Sequence, residues 1–153
     1  MSNMRRYITL LFAALALCSC VKNEAEQGEP LVDVTPVNLA GVWELTSFDN
    51  GATLQEGDYV YISFELTDRA YTIYQNIGTM YGEKRSGHYF VDTDPMLGAV
   101  IRGNYGTDEY NFFDWSHRYK VELRASTMRW TATDDSQNVS VYTRIESLPD
   151  ALR

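Results

Sequence analysis

The sequence predicts an all-β fold, an antiparallel up-and-down β-barrel of about eight to ten strands, and three observations carry that expectation. Apolar residues alternate with a period of two, most plainly through Asp58-Tyr-Val-Tyr-Ile-Ser-Phe-Glu-Leu-Thr67, where Val60, Ile62, Phe64 and Leu66 share one face. Glycine, asparagine and aspartate recur at short intervals between the alternating runs and supply turn chemistry. Behind residue 20 no segment keeps a helical period. A meander of this kind removes its exposed edges by closing on itself.

Taken in order, the run 58–67 reads as a half-buried strand. Arg69 to Ile77 repeats its pattern with Tyr71, Ile73 and Ile77. Further short strands are expected at Gly87–Asp92, Leu97–Arg102, Glu109–Trp115, Arg118–Ala125, Thr127–Thr133 and Val139–Glu146. The expected turns are Asn50-Gly51, Glu56-Gly57, Thr67-Asp68, Asp94-Pro95, Gly103-Asn104 with Gly106, and Asp134-Asp135. We see no internal repeat.

The chain starts differently. Arg5-Arg6 precede an apolar core, Ile8 to Leu17, which ends in Leu17-Cys18-Ser19-Cys20. This run is too short for a stable transmembrane helix and has the layout of a secretory signal. It resembles the lipidation signal of bacterial lipoproteins, whose peptidase needs a small residue before the cut. Ser19 meets that need before Cys20, and Leu17 before Cys18 does not. The resemblance implies removal of residues 1–19 and a thioether-linked, N-acylated Cys20 that anchors the body to a lipid bilayer, a palmitate-type modification of the cell envelope. A simple secretory signal with a soluble product is the competing reading.

Processing at Cys20 leaves no free thiol, which excludes disulfides, thiolate metal ligands and cysteine nucleophiles. The full chain has 13 basic and 21 acidic residues, a net charge of −8. Losing Arg5 and Arg6 with the signal takes it to −10 before the termini are counted. An acidic body repels nucleic acid and anionic headgroups, so no nucleic-acid partner is expected. Residues 20–38 form a polar, mostly acidic stretch, Lys22, Asn23, Glu24, Glu26, Gln27, Gly28, Glu29 and Pro30, read as a flexible linker. That stretch also resembles the surface-export signal of Bacteroidetes lipoproteins, so the outer membrane is expected, on its periplasmic or its external face. Residues 39–153 have the length of one domain.

Asn38-Leu39-Ala40-Gly41-Val42-Trp43-Glu44-Leu45-Thr46-Ser47 resembles the Gly-x-Trp start of a lipocalin-like barrel. Ser86-Gly87-His88-Tyr89-Phe90-Val91, Tyr119–Leu123, Thr127-Met128-Arg129-Trp130 and Val141-Tyr142-Thr143-Arg144-Ile145 extend the likeness to small lipocalin-like lipoproteins of Bacteroidetes. The resemblance implies that Gly41 turns the chain into the first strand, and that Trp43 plugs the closed end. It also implies that Arg144 on the last strand meets Trp43; pointing to water, pairing with a loop carboxylate and never reaching Trp43 compete with that. Two readings of the interior stay open: side chains fill it, or Phe64, Tyr71, Tyr89, Phe112, Tyr119 and Trp130 line a cavity for one small apolar ligand. The second class of function is an accessory envelope protein that contacts a protein or glycan through aromatic loops.

No reaction signature stands out, so no enzyme activity, catalytic residue, cofactor or metal is assigned. His88 and His117 lack a partner at metal-ligand spacing. Asp92-Thr-Asp94 precedes Pro95 and reads as a turn, and Asp108-Glu109 and Asp134-Asp135 fall where hairpin loops are expected. There is no nucleophile elbow, phosphate loop or dinucleotide fingerprint. Tyr59 and Tyr61 lie opposite the core face of their strand, and Tyr105, Tyr110, Phe113, Trp115 and Tyr119 cluster around one proposed loop. Either set can make partner contacts or cross-strand pairs.

Overall fold

The computed structural model describes residues 28–49, 51–78, 81–106 and 113–153. The lipidation signal with Ser19 and Cys20, and Asn50, Asp108, Glu109, Tyr110 and Phe112, lie outside these. Nine strands are present among the described residues: β1 Gly41–Phe48, β2 Val60–Phe64, β3 Ala70–Gln75, β4 Glu83–Asp94, β5 Gly98–Tyr105, β6 Phe113–Asp114, β7 Tyr119–Leu123, β8 Thr127–Ala132 and β9 Val139–Ile145. Each pairs antiparallel with its neighbours, and eight of them close a ring in the order β4-β3-β2-β1-β9-β8-β7-β5, with β4 bonded back to β5. The two-residue β6 extends the sheet beside the end of β5. The fold is therefore a closed, lipocalin-like up-and-down barrel.

Alternation positions the core. Trp43 and Leu45 on β1, Val60, Ile62 and Phe64 on β2, and Tyr71 on β3 belong to one buried cluster with Tyr89, Ile101, Val121, Leu123, Met128, Trp130 and Tyr142. Leu66 was expected on the same face and is instead 59% exposed. Strand β2 stops at Phe64 because the chain turns through Asp68 and Arg69, both at positive φ, and Leu66 rides on that hairpin. The Asp94-Pro95 turn forms: Oδ1 of Asp94 accepts hydrogen bonds from the backbone N–H groups of Met96 and Leu97. Gly103-Asn104, expected as a turn, is part of β5. Gly103 serves a different need there, since a Cβ would sit 2.5 Å from the Trp115 indole that lies across it. Of the strand expected over 109–115, Phe113–Asp114 pairs with β5 among the described residues.

The outer face carries aromatic pairs. Tyr61 is buried, stacks on Tyr59 with centroids 5.7 Å apart, and donates to Glu44. These two rings stabilise the sheet and are not a free surface.

Strand directions define two ends. The closed end holds the hairpins β2–β3, β4–β5 and β7–β8 and the start of β1. The linker expected to run flexibly to Asn38 is docked there from Glu29 onward. Glu29 accepts from the N–H and hydroxyl of Ser126, Arg124 Nε donates to the Glu29 carbonyl, and the Val32 N–H donates to the Leu123 carbonyl. Val32 and Val34 pack on the core, and a short helix, α1 Pro36–Leu39, capped by Thr35, leads into β1. Its apolar residues and a carboxylate matched to Ser126 turn this stretch from linker into strap. No helix among the described residues is long and apolar enough to cross a membrane.

Candidate functional site: a cup at the open end

The closed end is built around Trp43, which is fully buried and donates its Nε1–H to the Leu39 carbonyl at 2.8 Å. Register pairs Trp43 with Arg144 across β1 and β9. The Arg144 guanidinium lies over the indole, 4.1 Å from the ring centroid, a cation–π contact. Its fork also donates to the carbonyls of Ala40 and Asn38, both at 2.6 Å, and of Ala125 at 2.9 Å. Gly41, at φ +117, places Ala40 where that fork can reach, and a Cβ there would stand 3.0 Å from Nη1. Structure thus brings Gly41, Trp43 and Arg144 together as one lock joining the first strand, the last strand and the strap.

Above the lock the barrel is filled. Phe64, Tyr71 and Tyr89 are 3%, 1% and 0% exposed, and Phe64 meets Tyr89 edge to face at 5.1 Å. The cavity role expected for these three is therefore corrected: they form the floor. Tyr71 is held by two bonds, accepting from Trp115 Nε1 at 2.6 Å and donating to the Asn104 carbonyl at 2.7 Å.

A cavity of about 240 Å³ opens over that floor. Tyr119 and Trp130 line it as expected, and Phe112 lies outside the described residues. The other walls come from the upper inward positions of each strand: Val60, Ile62, Ile73 and Gln75 on one side, Ser140 and Tyr142 on the other. Tyr105 and the segment Trp115-Ser116-His117 complete the rim. Four rings make a continuous aromatic wall, with Trp130 at 5.5 Å from Trp115, 5.3 Å from Tyr119 and 5.2 Å from Tyr142. Among the described residues no lysine, arginine or carboxylate lines the cup.

Its phenols are neutral donors and acceptors. Burial raises the phenols of Tyr105, Tyr119 and Tyr142 above the ordinary tyrosine range, so each enters as an O–H group at neutral pH. At the rim, His117 Nδ1 sits 2.9 Å and 3.0 Å from the two carboxylate oxygens of Asp134, and this hydrogen bond holds the Asp134 carboxyl below its usual value. A proton kept on Nδ1 by the carboxylate leaves Nε2 as the acceptor in the neutral ring. Among the described residues no group of three His, Cys, Asp or Glu side chains could hold a metal ion.

Gln75, Ser140 and Tyr142 were missed in the sequence although they keep the inward parity of Ile73 and of Arg144 two residues away; polar identity hid the first two. Trp115, Ser116 and His117 follow no period and could not have been found that way. A scan against protein-family models finds no match for this chain, and a search of the curated proteins finds none either.

Proposed function

We propose that this chain is a membrane-anchored, noncatalytic lipocalin-like lipoprotein of the bacterial envelope whose open-end cup holds one compact, ring-sized molecule. The observation that carries this reading is the aromatic cup itself: a wall of Trp115, Tyr119, Trp130 and Tyr142 beside polar groups from Gln75, Ser116, His117 and Ser140. A planar or apolar body stacks on the rings while its polar edge reaches the rim. Size restricts the choice. The cavity falls below the roughly 300 Å³ at which small-molecule sites usually begin, and holds the volume of about eight waters. The filled floor denies room to a long acyl chain or a tetrapyrrole. The aromatic and apolar lining among the described residues disfavours ligands carrying a strong unpaired charge.

The anchor belongs to the same reading. With lipid on Cys20, the tether to Glu29 is nine residues long by number and spans about 30 Å at most. Glu29 is docked at the closed end, so the tether meets the barrel at the end opposite the cup.

The test is ligand-dependent stability of the acylated protein against single-ring compounds and an extract of its own envelope. A ligand that binds only the folded state raises stability by about 2.7 kcal/mol at a hundredfold excess over Kd. Ser140→Trp, which fills the cup from its rim, should abolish that gain while leaving the unliganded midpoint nearly unchanged. An absence of shift in both proteins would favour the accessory reading, which draws support from the filled lower barrel and from Phe113, 74% exposed beside the mouth.

A further inference from the structure

The exposed apolar residues are not scattered evenly. Of the eight large ones among the described residues, Leu31, Val37, Leu66, Met96 and Leu97 all lie at the closed end. Leu31 and Val37 belong to the strap and α1, Leu66 to the β2–β3 hairpin, and Met96 and Leu97 to the β4–β5 hairpin. Met96 is 94% exposed and Val37 71% exposed, so neither contributes to the core. A tight turn is ordinarily polar, yet the Asp94 turn presents Met96 and Leu97 at its tip. Folding does not account for that choice.

We propose that the closed end is a membrane seat, in which these five side chains enter the interfacial layer of the bilayer that holds the acyl chains. This rests on the lipidated Cys20 of the preceding reading. The strap supplies the second observation: its first docked residue, Glu29, is bonded to Ser126 at this same end. A nine-residue tether therefore joins the protein at this face, which reaches the headgroups with the least extension of the chain. The charge of −10 that remains once Arg5 and Arg6 leave with the signal selects zwitterionic over anionic headgroups. The acyl chains hold the protein on the membrane, and the seat fixes its orientation, with the cup facing outward.

The experiment uses the full acylated protein in phosphatidylcholine vesicles, with one thiol introduced and labelled with a polarity-sensitive nitrobenzoxadiazole probe. Met96→Cys and Leu66→Cys report the closed end, and Phe113→Cys reports the mouth. A seat inserted about 5–10 Å into the boundary gives blue-shifted emission at residues 96 and 66. Lipids spin-labelled in their acyl chains then quench those two probes more than roughly twofold over residue 113. Equal quenching at all three positions overturns the proposal. So does a blue shift at residue 96 that lipid does not quench and that fades on dilution, because a second protein molecule then covers this end. Intact mass of the same sample shows whether Cys20 is acylated. If it is not, the anchor reading fails separately, and the seat is judged by the same contrast at saturating vesicle concentration.

Discussion

Replacing Arg144 by Met removes the charge and the fork while keeping an apolar stem over Trp43. The side chain now donates to Ala40 and Asn38 at 2.6 Å and to Ala125 at 2.9 Å. The first two acceptors are partly buried. Each loses a charge-assisted bond with a net contribution of about 1–2 kcal/mol once solvent reaches it. The guanidinium at 4.1 Å from the indole centroid adds roughly 1 kcal/mol. The expected loss is therefore about 3–5 kcal/mol, a large fraction of the roughly 5–15 kcal/mol that holds a small domain. Urea unfolding followed by far-UV circular dichroism measures it as a fall in midpoint at constant slope. Arg144→Lys keeps the charge without the fork and should recover less than half of the loss, because a point charge cannot serve three carbonyls at once. A double-mutant cycle with Trp43→Phe should leave a coupling of roughly 0.5–2 kcal/mol. A total loss under about 1 kcal/mol, or full recovery by lysine, would refute the idea that this fork ties the strap and both terminal strands together.

Two further outcomes follow from groups that burial has singled out. Tyr89 is fully buried and its hydroxyl has no hydrogen-bond partner among the described residues, so Tyr89→Phe should be neutral or stabilising by up to about 1 kcal/mol in the same unfolding assay; a clear destabilisation would mean that the hydroxyl is satisfied after all. The backbone N–H and then the hydroxyl of Ser126 hold the Glu29 carboxyl below its ordinary value of 4.5, so its contribution is fully present above that pH and is lost as pH falls through the depressed value. Glu29→Gln should therefore flatten the acid limb of the stability profile, and an unchanged limb would detach Glu29 from the strap's hold.

The barrel was legible because period-two alternation is a direct record of a sheet with one buried face, and Val60, Ile62, Phe64, Tyr71, Ile73 and Trp130 all obey it. Errors came where a second contact overrides local chemistry. Gly103-Asn104 looks like a turn, but its glycine is there to admit the Trp115 indole, and nothing near residue 103 announces a ring twelve positions away. The strap was lost in the same way: Glu29 and Pro30 have linker composition, and it is the distant Ser126 that gives the carboxylate its hydrogen bonds. The site was half legible for a related reason. Its hydrophobic wall follows strand parity, whereas its rim is assembled from Trp115, Ser116 and His117, which belong to a connection with no period at all. The same division separates the closed end from the open one. Gly41, Trp43 and Arg144 were expected through the resemblance to a lipocalin-like barrel, and strand register does set Trp43 beside Arg144, whereas the rim of the cup carries no such mark. On the proposed reading, the polar side of the cup therefore rests on Gln75, Ser116, His117 and Ser140, set against an aromatic wall that strand parity marks out at Tyr119, Trp130 and Tyr142.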